Sequence, residues 1–367
     1  MFITVYRLRF SLIRRINTVV RKCKKCVRRG ERVTPSVFLN FKRCIMKNTI
    51  AIFLILIGIL SCKTKEITVK DGRVVSFNRV PPNGIFINDT LICDETELAN
   101  TDYREYLYWV SRVFGYDSQT YQDALPDTMA SYNYILKNID NKDVLKKLYT
   151  YDSGEIYFHH PSYNDYPVIG LTYEQAANYS NWRTNIVFQM MLINSNLIEV
   201  HIHPDSTNYF TVEKYAAGHY FNYKPPKGLY VARFRLPTVE EWELCTKQKN
   251  SDDWGVDSTN QLAKKFKKSG WTLFKTKEDL LTALKNEEEQ KSERRFLIPF
   301  TAPVRSLIPN RLFNMVGNVA EMTSIKGIAK GGSWAHPLEE CKIKNTIRYD
   351  KPEAWLGFRN VCTWEKL

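Results

Sequence analysis

Glycines cut the last part of the chain into short pieces, first in NMVGNVAEMTSIKGIAKGGSWAH and then in IRYDKPEAWLGFRNVCTW. A glycine admits turns that other residues resist, and within a strand it weakens the ladder. The strands left between these interruptions are too short for a large sheet.

Upstream, the helices announce themselves by capping chemistry. In YPVIGLTYEQAANYSNWRT, Thr172 reads as an N-cap and Gln175 completes a capping box, with Ala176, Tyr179 and Trp182 on the buried face. RFRLPTVEEWELCTK repeats the device, with Thr238 as the cap, Trp242 and Cys245 on one side, and Glu240, Glu241 and Glu243 near the positive helix end. Before both, Ile85, Ile87 and Leu91 alternate as in a strand. Thr101 and Asp102 then precede Tyr103, Tyr106, Leu107 and Val110 at helical spacing. Residues 248–297 form a charged insert, and its DLLTALKNEEEQKSERR reads as a solvated amphipathic helix.

The chain has 367 residues, 44% hydrophobic and 13% aromatic, ample to bury a core. Its net charge of +14 would suggest nucleic acid if spread over a folded surface. Residues 1–45, however, hold thirteen Lys or Arg against one acid, so +12 lies there and only +2 remains for the rest. A nucleic-acid partner is not expected.

MKNTIAIFLILIGILSCKTK, starting at Met46, reads as a second beginning. Lys47 supplies the positive start, Ile50 to Leu60 the apolar run, and Ile59-Leu60-Ser61-Cys62 a lipoprotein-type cleavage site. The run is shorter than the roughly 20 residues of a spanning helix. The expected organisation is a basic segment 1–45, read as an over-extended start, then a signal peptide 46–61 and a tether 62–84. A domain over 85–367 follows, with Cys62 as the lipidated residue. The chain is thus expected to be exported as an outer-membrane lipoprotein, with protein partners in the cell envelope. A zinc site at Cys23 and Cys26 is the rival use of the basic segment, but Cys44 alone does not complete its ligand set. Cys93, Cys245, Cys341 and Cys362 follow no repeated spacing, and pairing among them stays open, including Cys341 with Cys362.

ETELANTDYREYL, YPVIGLTYEQAANYSNW, RFRLPTVEEWE, TAPV, LFNMVGNVAEMTS, AKGGSW and LGFRN, in that order, resemble the sulfatase-modifying-factor family. Its founding members are formylglycine-generating oxidases, and the resemblance implies an α+β fold, a variant of the C-type lectin scaffold with short strands, few helices and much irregular structure. The resemblance implies a calcium site in which Asn314 and Glu321 give side-chain oxygens and Gly317 and Val319 give backbone carbonyls, as a hard cation asks. It also implies a redox pair after the GGS turn. Active relatives place two cysteines there and hold copper(I) between the thiolates; the matching positions here are His336 and Cys341. Copper is therefore not expected, and Cys341 reads as a packed thiol or half of a disulfide.

Ala320-Glu321-Met322 stands where catalytic relatives have WEW, so a reshaped pocket is expected. Arg348 and Arg359 match family arginines and are suited to pinning loops through carboxylates. Outside the family motifs, His201 and His203 would share one side of a strand, while His159 and His160 would face opposite ways in an extended chain. The functional expectation is a non-catalytic lipoprotein acting as a binding or assembly component, resembling members found in gliding-motility and type IX secretion machinery. The alternative is a formylglycine-generating-type oxidase or related metal-dependent oxygenase acting on exported proteins.

Overall fold

The computed structural model describes residues 80–138, 153–247, 301–305 and 312–367. Cys62 and the signal segment lie outside them, as do Cys23, Cys26 and Cys44, the whole charged insert and all but the last residues of the tether.

The chain enters through β1 (Gly84–Phe86) and β2 (Leu91–Asp94), an antiparallel pair where alternation predicted one strand. The break falls where Asn88 Oδ1 accepts the N–H groups of Thr90 and Leu91, an Asx turn that reverses the backbone. Helix α1 (Asn100–Phe114) follows, then α2 (Gln119–Ala124), α3 (Ala130–Asn138), α4 (Ser153–His159) and the long α5 (Tyr173–Asn194). Next come α6 (Val212–Ala216), β3 (Tyr230–Arg235) and α7 (Val239–Thr246). The remainder holds β4 (Ala320–Met322), β5 (Ile328–Lys330), β6 (Ile347–Arg348), β7 (Leu356–Gly357) and β8 (Val361–Lys366).

The predicted capping box of Thr172 with Gln175 forms, and the predicted cap Thr238 also makes a box, with Glu241. For α1 the cap shifts. Thr101 and Asp102 lie inside the helix, Ala99 is the N-cap, and the Asp102 carboxylate reaches back to the Ala99 N–H at 3.3 Å. Its apolar face is the expected one, with Tyr103, Tyr106, Leu107 and Val110 all buried.

Two sheets result among the described residues. One has strand order β1-β2-β8-β3, antiparallel throughout; the other is β6-β5-β4-β7, with β4 and β7 parallel. Mixed α and β content with short strands agrees with the α+β expectation. Helix α5 joins two apolar cores. Ala176 and Tyr179 near its start pack with Tyr103, Tyr106, Met322 and Phe358, while Phe188 and Leu192 near its end pack with Phe210, Tyr215 and Val231. Tyr179 stacks on Tyr103 at 5.9 Å and meets Tyr106 edge-on at 5.8 Å, contacts worth about 0.5–1.5 kcal/mol each beyond area burial. No helix among the described residues is long and apolar enough to cross a membrane.

Candidate functional site

The segment that leads into β4 is bent by Asn314, Gly317 and Asn318, all at positive φ, where Gly and Asn are the tolerated residues. Each asparagine then aims its amide at one buried carboxylate: Asn314 Nδ2 donates to Glu97 Oε2 at 2.9 Å, and Asn318 Nδ2 to Glu97 Oε1 at 3.0 Å. Asn318 is fixed from behind, since its Oδ1 accepts the Ala302 N–H at 2.8 Å. Burial raises the Glu97 carboxyl, and the pull of Arg359 and the two amides does not cancel this: it stands at about 8.

Glu321, on β4, is equally buried and fully engaged. Arg359 Nε and Nη2 donate to its two oxygens at 2.7 and 2.6 Å, and Trp242 Nε1, from α7, adds a third bond at 2.7 Å. Arg359 also donates to the carbonyls of Asp94 and Phe313, so one guanidinium ties β4 to the ends of β2 and of the Asn314 loop. A further buried pair, Arg183 and Asp94, lies alongside at 2.8 Å between Arg183 Nη2 and Asp94 Oδ1.

This arrangement does not fit the calcium cage implied by the resemblance. Three hydrogen bonds, two from Arg359 and one from Trp242, take most of the acceptor positions that Glu321 would have to offer a calcium ion. A divalent cation brought against Arg359 in a buried site would meet strong repulsion. Asn314 is likewise turned toward Glu97 by its amide nitrogen. Among the described residues, no group of three or more His, Cys, Asp or Glu is placed to hold a metal ion.

The glycine turn after β5 is built for close approach. Gly331 and Gly332 sit at φ +85° and +65°, and a Cβ on Gly332 would lie 2.2 Å from Cys341 Sγ. The Cys341 thiol packs with Val316 and Leu338 and donates to the Pro337 carbonyl at 3.4 Å. Burial pushes it up to about 12. His336 is half-buried in the turn: Nδ1 meets Ser333 Oγ at 2.7 Å, and the ring stands edge-on to Trp355 at 4.9 Å. Burial lowers its pKa to about 4, so the imidazole is neutral. A neutral imidazole and a protonated, enclosed thiol do not fit the copper dithiolate of the active oxidases.

Other expectations are corrected by the backbone. His201 and His203 lie in a bend, not a strand, and the His201 ring is tilted against Phe221 with centroids 4.9 Å apart. His159 ends α4, pairing with Glu155 at 3.3 Å one turn back, and His160 caps a short 3-10 turn, so the chain there is not extended. Arg348 is exposed, whereas Arg359 has no exposed surface. Ala320 and Met322 are core residues packed with Leu356 and Phe358. Cys341 and Cys362 are both free and lie in different apolar clusters.

Sequence reading missed Glu97, Asn318, and the pairing of buried Lys330 with Glu243 at 2.8 Å. The one available signal was local: Lys330 follows the apolar Ile328-Ala329 in a strand too short to expose it.

The family described as Sulfatase-modifying factor enzyme 1-like domain matches residues 60–364. No curated protein matches the chain. Among solved structures it is similar to Treponema denticola variable protein 1 at 16% identity, covering 74% of this chain and 84% of that one with a TM-score of 0.35, too low to support further argument.

Proposed function

Because this chain belongs to the family of sulfatase-modifying factor enzyme 1-like domains, we propose that it is a non-catalytic member. It serves as a binding or assembly component of a cell-envelope machine, such as gliding motility or type IX secretion, and is held at the outer membrane by a lipid on Cys62. The observation that carries the non-catalytic reading is the state of Cys341. The thiolate is the form that attacks substrates and binds soft metals; this thiol is enclosed, hydrogen-bonded to Pro337 and held near 12. Position 336 offers an imidazole in place of the second sulfur, and Ser333 already engages its Nδ1.

What supports the anchor is the sequence itself: a positive start at Lys47, an apolar run, and Ser61-Cys62 at its end. The assembly role follows from a rigid scaffold without a competent redox pair, together with the resemblance to envelope lipoproteins. Function belongs to the site and not the fold.

The test uses the purified full-length chain with a cysteine-containing peptide, copper and oxygen. No peptide oxidation above the metal blank is expected. Copper-dependent turnover that disappears in Cys341→Ser would overturn the reading. In cells, Cys62→Ala should leave the protein unlipidated and displaced from the membrane fraction, and unchanged fractionation would remove the anchor.

A further inference from the structure

We propose that Cys93 and Cys245 become joined by a disulfide when the chain folds in an oxidising environment, a structural modification that bridges β2 and α7. Cys93 lies on β2 and Cys245 in the last turn of α7. The two belong to one buried apolar cluster with Leu91, Leu312 and Val361, with the Cys245 side chain beside the Cys93 thiol. Of the four described cysteines, all free, these are the two that the fold brings together; Cys362 packs with Ile92 and Phe234, and Cys341 with Val316 and Leu338.

The reaction is a thiol–disulfide exchange. One thiolate attacks a small or protein disulfide and displaces one of its sulfurs, giving a mixed disulfide. The second thiolate then closes the Cys93–Cys245 bond and expels the other. The donor disulfide ends as two thiols, having taken two electrons, and the two cysteine protons pass to it or to solvent. In the folded chain the neighbouring Cys245 side chain, and then burial, hold Cys93 strongly protonated. Exchange therefore belongs to folding, before the cluster closes, and the finished bond is shielded from reductants.

Its position gives it a purpose. Arg359 grips the carbonyl of Asp94, the residue after Cys93, while Trp242, one turn before Cys245, donates to Glu321. A covalent link here would brace both sides of the buried carboxylate.

The full-length chain, secreted into an oxidising compartment or refolded in a glutathione redox buffer, is alkylated under denaturing conditions and digested without reduction. Peptide mass mapping of the monomer is expected to find Cys93 and Cys245 in one cross-linked species, two hydrogens lighter than its separate peptides. Chain reduced while unfolded and refolded in reductant should melt several degrees below the oxidised chain in the parent and in Cys341→Ser, but not in Cys245→Ser. The mapping needs no variant, so it stands if Cys245→Ser fails to fold. Recovery of both residues as alkylated thiols, or a cross-link from either to Cys341 or Cys362, would overturn the proposal.

Discussion

Glu321 and Arg359 meet through two parallel hydrogen bonds of 2.6 and 2.7 Å, and neither side chain has appreciable contact with solvent. The pair closes the space between β4 and the segment following β7, with Trp242 lying against the carboxylate. A buried ion pair is poor evidence of net stabilisation, since two desolvated charges roughly offset their attraction. Its value lies in register: breaking it leaves a charge stranded.

Arg359→Met is therefore expected to destabilise the chain by about 3–5 kcal/mol in urea denaturation, with Glu321→Leu of similar size. The double substitution should recover much of the loss, because no charge is left uncompensated. Losses that simply add in the double variant would show that the two side chains do not act as a unit.

The same geometry governs calcium. With Glu321 held by Arg359 and Trp242, thermal unfolding in excess Ca²⁺ and in EDTA should give the same melting temperature. A ligand that binds the native state must raise it, by linkage. A calcium-dependent rise abolished by Glu321→Ala would return this carboxylate to the metal.

Glu97 sets a pH dependence of known sign. Its folded pKa of about 8 lies above the ordinary 4.5, so between those values the folded chain keeps a proton that the unfolded chain has lost. The stability it contributes is complete below the ordinary value and disappears as pH rises through about 8. His336 acts in the opposite direction, but only between about 4 and 6.5. Denaturation at pH 6.5 and pH 8.5 should thus show the parent losing on the order of 1–3 kcal/mol. In Glu97→Gln that loss should shrink. An unchanged slope in the variant would mean that another group carries the proton.

Local chemistry was legible and long-range pairing was not. Thr172 with Gln175 and the cap at Thr238 are read within four residues of chain, and the helical spacing of Tyr103, Tyr106, Leu107 and Val110 correctly names the buried face of α1. Glu97 meets Asn314 across 217 residues, and no periodicity encodes that distance. Glu321 was identified as a functional carboxylate from its motif, but its partner is decided by the turn that returns Arg359 to it, which only the fold supplies. His201 and His203 fail for a related reason: alternation suggests a strand only where a neighbour exists to pair with it, and this segment has none among the described strands.

Gly332 offers the sharpest test of the enclosed thiol. A Cβ at this position would lie 2.2 Å from Cys341 Sγ and 2.9 Å from its Cβ, and the backbone there is in the left-handed region, so Gly332→Ala meets both a clash and conformational strain. Overpacking typically costs 1–3 kcal/mol and the backbone term adds roughly 1 kcal/mol, for an expected loss of about 2–4 kcal/mol. Combining it with Cys341→Ala removes the sulfur but not the contact at Cβ, so the rescue should be partial. In the folded parent, iodoacetamide at pH 8 should leave Cys341 unmodified, whereas Gly332→Ala should expose it as the loop gives way. Rapid labelling of Cys341 in the native parent would mean that the thiol is open after all, and with it the case for a silent redox loop would fall.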